Sequence, residues 1–516
     1  MNRRRNHADP LFNLVKSLSK SEKRQFKLYA NRLEGNSEAK FILLFDHLDK
    51  MKYYDEAQLL SADYIKRQQF SNLKAHLYKQ ILVSLRLGAS SQTKPMRLRE
   101  QLDFARILYN KGLYKQSLKI LVRIKSQALA IEETSLAHQI VELEKIIESQ
   151  HIVGDIEQKA PELAKESQAL SRANQISSSL SNLSIELYAM ILRSGYVKSD
   201  KEFKTVTDFF KHRLPDVNIS SLGFREKLWY FQSHMWYAFL VQDFVSAYRF
   251  ANKWVGLFFA SPDLIPLHPV FFVRGHQYLF EALYLLKYRS KFEEALLKFE
   301  KMLTQIDFPD NKHIAPLIFL GRYHNKINFH FLEGSFEEAE NLIPEVLQGL
   351  EIHHDRIDRH HVMVLYYKTA CIYFGVGDYK NCIAYLEKII SHKNLIIHED
   401  LMCFSRVLNV VAHYEAGFDY QLETQLKHTY KFLLKMNELQ AVQKAMLRFL
   451  RSLTDMYPGE LKAAFQKLHK TLKSYENDPY EKRAFLYLDI LSWLESKIEN
   501  RPIASVIKDK AVALIR

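Results

Sequence analysis

Glycine and proline are scarce, at 15 and 13 of 516 residues, roughly half their usual combined share. A loop rich enough in glycine to cradle a phosphate is therefore not expected, and long helices with few turns are. The fingerprints GxGxxG, GxxxxGKS or GxxxxGKT, GxSxG, HExxH and CxxC are all missing, so local nucleotide, hydrolase, zinc-protease or dithiol chemistry is not written in the chain. A non-enzymatic protein without a cofactor is the expectation. Cysteine occurs three times, as Cys371, Cys382 and Cys403; an odd number set within helical pattern suits reduced thiols and a cytoplasmic protein. No apolar run approaches the roughly 18 residues of a membrane span, so no transmembrane segment is expected. Asp9, Asn13 and Lys16 interrupt the apolar residues of the opening MNRRRNHADPLFNLVKSLS, which leaves no signal-peptide core there.

What the chain does contain is 47% hydrophobic and 26% charged residues, the balance of a folded, soluble protein. Its length exceeds what one compact core serves, so several domains or a repeat array are expected. The net charge of +14 is uneven: residues 1–127 hold 26 Lys and Arg against 11 Asp and Glu, and the remainder is balanced. An anionic partner for that first quarter and a set of solvated helix faces both account for the excess.

Residues 10–90 read as several helices, one opened by a Ser19/Glu22 capping box, others at 39–51, in EAQLL, in SADYIKRQQF and over Ser71–Leu87. The succession from 56 to 87 has the outline of a helix-turn-helix without its glycine turn. From Ala105 onward one pattern recurs. Its clearest copy is GDYKNCIAYLEKI, with Gly377, Tyr379, Cys382, Leu386 and Ile389, preceded by Ala370. Glycine supplies the positive φ that ends one helix, and the small residue at 382 lets the next approach Ala370. Copies follow at Gly112 (Ala105, Tyr114, Ser117, Leu121), Gln242, Ser290 and Gly334, with a degenerate one at Gly417 and weaker ones at Gly154 and Gly195. These turn positions are 40 to 48 residues apart, the regularity of stacked helical hairpins.

The motif resembles the tetratricopeptide repeat over about residues 96–435, with a longer period and few of the family's terminal prolines. The resemblance implies an all-α, right-handed solenoid of about eight hairpins. A basic helical module (1–90) precedes the repeats (91–435), and amphipathic helices over 436–516 cap the open end.

In that family the first helix of each hairpin lines a concave groove, at positions 13, 10, 6 and 3 before the turn. Carried over, these positions give Trp229, Gln232, Trp236 and Phe239, then Gln277, Phe280, Tyr284 and Lys287, then His324, Asn328 and Phe331, then Tyr367 and Phe374, then Tyr414. Aromatic rings with a few hydrogen-bonding tips suit a peptide; the same rings also suit an inter-repeat core. His354, Asp358 and His361 would share a face if residues 351–362 were helical and could then ligate a divalent metal, but a polar stretch between hairpins reads as a loop, and no metal is expected.

The leading expectation is a scaffold or adaptor that holds a protein or peptide in the groove. The alternative is a regulator whose basic first quarter binds nucleic acid, with Arg3, Arg4, Arg5, Lys74, Lys79 and Arg86 available to phosphates. A third reading places Arg3, Arg4 and Arg5 with LFNLVKSL on an anionic membrane surface. Anisotropy titrations of mixed DNA and RNA oligonucleotides separate the first two. A nucleic-acid module gives binding by the full chain that falls steeply with salt and is lost in residues 128–516; absence of binding at low salt removes that reading.

Overall fold

A computed structural model describes residues 9–34, 40–61, 67–88, 93–150, 156–306, 308, 314–391, 399–433, 441–452, 456–476, 478, 481 and 489–513. Among these residues the chain is all-α, without strands. Its internal contacts divide it into two units, 1–170 and 171–516.

The first unit contains two separate cores. One is built by α1 (Pro10–Ser17), α2 (Lys20–Glu34), α3 (Lys40–Lys50), α4 (Glu56–Leu60) and α5 (Phe70–Leu87) around Phe26, Phe45, Leu77 and Ile81. The capping box forms: Ser19 N–H donates to Glu22 Oε2 (2.7 Å) and Glu22 N–H to Ser19 Oγ (3.2 Å). Of SADYIKRQQF, residues 62–66 lie outside the described residues, and Arg67–Gln69 form one 3₁₀ turn before α5. The other core joins α6 (Lys94–Asn110), α7 (Tyr114–Ala130) and α8 (Thr134–Gln150) around Ala105, Leu121, Ile124 and Ile140. Ser117 and Ala105 let α6 and α7 approach until Ser117 Oγ donates to the Ala105 carbonyl at 2.8 Å.

Next comes α9, a continuous helix over Ile156–Ser194. The sequence pattern places a hairpin between Gly154 and Gly195; Gly154 falls outside the described residues, and the 39 residues before Gly195 form one helix. The reason is visible in the composition. From Glu162 to Ser194 there is no glycine or proline to stop the helix.

In the second unit α10 (Asp200–Arg213) leads into paired helices: α11 (Phe224–Leu240) with α12 (Phe244–Ala260), and α13 (Pro269–Leu285) with α14 (Arg289–Gln305). Then α15 (Ile314–Glu333) is followed by the short α16 (Phe336–Glu340) and α17 (Ile343–Ile352). The break between α16 and α17 sits at Pro344, which has no N–H to continue the ladder. The series goes on with α18 (Arg359–Val376), α19 (Tyr379–Ile390), α20 (Glu399–Glu415) and α21 (Asp419–Leu433). After these come α22 (Ala441–Ser452), α23 (Leu461–Lys473), α24 (Ile490–Glu499) and α25 (Ile503–Ala513). First helices also pack on first helices: α13 on α15, α15 on α18, α18 on α20.

The turns share one backbone solution. At Gly377, φ is +92°; the Asp378 N–H donates to the Tyr373 carbonyl (2.9 Å) and the Gly377 N–H to that of Phe374 (3.2 Å). This 6→1 and 5→2 pair satisfies carbonyls the helix end would otherwise strand. It recurs at Gly112, Glu132, Gln242, Lys287 and Gly417, and its 6→1 bond at Gly334. Asp243 and Asp378 also cap the next helix, accepting from Ser246 N–H (3.0 Å) and Asn381 N–H (3.1 Å).

One turn lies elsewhere than the pattern suggests. In the α13/α14 pair the left-handed residue is Lys287, not Ser290, which sits in the first turn of α14. A lysine at positive φ carries none of the signal that glycine gives. The strain has opposite signs at the two sites. A Cβ at Gly377 would meet nothing within 4 Å, so the cost of Gly377→Ala is the left-handed backbone strain of the added Cβ, about 1 kcal/mol. Lys287→Gly relieves strain and gains about 0.5 kcal/mol after the glycine's unfolded-state entropy. Urea denaturation of the two variants checks both signs.

Candidate functional site

The predicted groove residues divide by position. On α11, Trp236 is buried against Tyr188 and Tyr278, with ring centres 4.8 and 4.7 Å away. Half-buried Trp229 meets Phe271 edge-on at 5.2 Å, and Gln232 Oε1 is buried without a hydrogen-bond partner. On α13, Gln277 Oε1 accepts from Arg274 Nη1 (3.0 Å). Phe280 is fully buried, and Lys287 is the exposed turn residue itself. Moving the turn to 287 replaces Phe280 and Lys287 by Arg274 and Glu281 at the inner positions. Phe331 packs on Phe336, with ring centres 5.8 Å apart, and Tyr414 on Phe465 at 6.3 Å.

Four of these residues gather around a group the sequence reading passed over. Lys368 on α18 donates from Nζ to the His324 carbonyl (3.2 Å) and to Asn328 Oδ1, both on α15. One turn along α18 is Cys371, whose thiol hydrogen-bonds Tyr367. Tyr284 of α13 lies close enough for the Cys371 charge state to act on it. Lys368 has no carboxylate partner in ion-pair range among the described residues, although Glu281 attracts it from farther off. Burial pushes the ammonium down to about 7, partly offset by Cys371 and Glu281.

The neighbours are neutral for the same reason. Burial holds His324 well below the usual imidazole range, with Lys368, His361 and His360 adding repulsion, and its Nε2 has no hydrogen-bond partner. Burial raises the Cys371 thiol to about 12, against the Tyr367 hydrogen bond and Lys368. Such a thiol is not a nucleophile. Burial likewise raises the Tyr284 and Tyr367 phenols. The set is therefore a patch of uncharged donors and acceptors around one amine that titrates near neutrality. Cys371 stands at a groove offset, six residues before Gly377, and Lys368 directly follows Tyr367; the register was legible, the polar group beside it was not.

The C-terminal helices lie on this same first-helix face. Tyr367 and Phe374 belong to one apolar cluster with Ile490, Leu491, Trp493 and Leu494. Trp493 Nε1 donates to Glu415 Oε1 at the end of α20 (2.8 Å), and Lys497 pairs with the same carboxylate. Helix α25 packs against α15 and α18. A Cβ at Gly334 would stand 2.8 Å from the Ala504 carbonyl and 3.1 Å from Ile507 Cβ, so glycine there serves both the turn and the close approach of α25.

Of the basic patch, Arg3, Arg4 and Arg5 lie outside the described residues. Lys74 is engaged: its Nζ pairs with Asp9, which also caps α1, and bonds Tyr54 Oη at 3.2 Å. Lys79 is exposed, and Arg86 stands 3.5 Å from Asp103 Oδ2. The His354/Asp358/His361 segment is a turn followed by a helix start. Asp358 caps α18 and accepts from His361 N–H (3.1 Å), with His361 Nδ1 2.6 Å from its second oxygen. Among the described residues no group of three His, Cys, Asp or Glu is placed to hold a metal ion, and no helix is long and apolar enough to cross a membrane. No family model, curated protein or solved structure matches the chain.

Folding lowers the Lys368 pKa from 10.5 to about 7, so between those values the unfolded chain holds the extra proton. Stability contributed by this group is therefore lowest below about pH 7 and rises as the pH rises above it. Lys368→Met removes the penalty. The variant is expected to exceed wild type in unfolding free energy at pH 6.5, with the difference shrinking toward pH 9; urea titrations at each pH measure it. A pH-independent difference would mean that the amine is ordinarily solvated.

Proposed function

We propose that this chain is a non-enzymatic binding scaffold, a tetratricopeptide-like solenoid whose first-helix face holds a helical segment of a partner protein. The observation that carries the reading is that α15 and α18 already hold a helix there, the chain's own α25. Val506 and Ile507 are its buried residues, two successive apolar side chains that seat the helix on its neighbours. The same two helices also carry Asn328, His324 and Lys368, groups that orient a polar backbone or side chain without a fixed charge to desolvate. The alternative of a nucleic-acid module in the first quarter has less support, because Lys74 is already held by Asp9.

The test is rebinding in trans. A fluorescent peptide of residues 501–516 is titrated into a chain ending at residue 500, whose fold is first verified by its circular-dichroism melt. The expected result is saturable binding at about 10 μM or tighter, loss of binding for the Ile507→Asp peptide, and little binding to the full-length chain, whose face is filled. A folded 1–500 chain that does not take up the peptide would overturn the reading.

A further inference from the structure

A second feature of the same unit lies among α19, α20 and α21. The last turn of α19, the first half of α20 and the last turns of α21 enclose a cleft of about 530 Å³, within the size range of small-molecule sites. Its polar lining is unusual in one respect: the cation set into it has no acceptor. Arg406 makes no hydrogen bond or ion pair among the described residues, and its Nε is buried. Its guanidinium carbon stands 4.5 Å from the centre of the Phe432 ring. Nearby, Asn409 is only 2% exposed, with no hydrogen bond to its Oδ1 among the described residues, and its amide Nδ2 is the group that can donate to an anion. Two further basic side chains, His428 and Lys431, line the same cleft against one acid, Glu387, and none of these three is in an ion pair.

A buried lysine can lose its proton; a guanidinium in a protein does not. Burial works against the Arg406 charge, and only the nearby Cys403 side chain opposes that. The ring of Phe432 offers a cation–π contact that fixes the guanidinium plane but supplies no acceptor for its N–H groups. A planar donor fork held beside an open cleft, with the Lys431 ammonium on the wall, is the arrangement that receives a bidentate oxyanion. Ile390 and Phe432 supply an apolar wall for what carries it.

We propose that this cleft binds a small organic oxyanion, a carboxylate or phosphate ester on an apolar or aromatic body, with Arg406 gripping the anionic group and the Asn409 amide donating from Nδ2 beneath it. Lys431 adds attraction at the wall, and Phe432 holds Arg406 in register. The site is independent of the first-helix face and of the scaffold reading.

Isothermal titration calorimetry of the full-length chain at pH 7 tests it with phenyl phosphate, benzoate and neutral phenol. The expected result is binding of at least one of the two anions, the stronger arm naming the oxyanion, and none of phenol. Arg406→Met should weaken the bound anion at least about tenfold, with Arg406→Lys intermediate because the fork is lost but the charge kept. Lys431→Gln, an exposed change, should weaken it a few-fold, which keeps the test valid if the Arg406 variants fail to fold. The proposal is overturned if neither anion binds the wild-type chain, if phenol binds as well as they do, or if a folded Arg406→Met or the Lys431→Gln chain binds unchanged.

Discussion

The arrangement of helices in this chain depends on a residue held in the left-handed backbone region at the end of each first helix. Once Gly112, Gln242, Lys287 or Gly377 takes that conformation, the next two amides turn back onto the helix just ended. The direction of the following helix is then set before any side chain has packed. Side-chain size does the rest: Ala105 against Ser117 and Ala370 near Cys382 are small and fully buried, so adjacent helices close to backbone distance where bulky side chains would hold them apart.

That geometry has a consequence for polar groups. Close packing of first helices on one another leaves little water between them, so any ionisable side chain on that face feels burial first and its neighbours second. His276 on α13 illustrates the purely structural outcome. It is buried among Phe272, Phe280 and Phe299, is pushed down to about 4, and donates from Nδ1 to the Phe272 carbonyl. Further along, the same physics keeps His324 neutral, its Nε2 without a hydrogen bond among the described residues, beside a Lys368 whose ammonium is pushed down to about 7. Local helix geometry is similar in both places; what differs is which residue types were put there.

This distinction explains what was legible beforehand. The turns at Gly112, Gly334, Gly377 and Gly417 announce themselves because glycine and small residues are a local signal, and the Ser19/Glu22 box is equally local. Lys287 hides the turn it makes, since only its backbone matters there, and the error of three residues displaced two of the expected inner positions. The single helix over Ile156–Ser194 could have been seen by giving the missing breakers more weight than a period of about 42 residues. The return of α24 and α25 to the first-helix face could not. It joins Glu415 to Trp493 and Gly334 to Ala504 across 78 and 170 residues, and nothing in a window of sequence encodes which surface an amphipathic helix will cover.

Lys368 and Arg406 show how two partly buried basic side chains of one unit come to opposite ends. Lys368 has acceptors in the His324 carbonyl and Asn328, and it can discharge its remaining penalty by releasing a proton close to neutral pH. It is therefore stable as it stands, and a partner segment on that face has only to match neutral groups. Arg406 has neither route: no acceptor among the described residues, and a proton that stays on over the whole working pH range. A structure that kept such a group for stability alone would do better with a leucine or methionine, which would pack on Phe432 without a charge to desolvate. The asymmetry separates the two: Lys368 is held by acceptors within the fold, while the proposed anion would supply the acceptor that Arg406 lacks among the described residues.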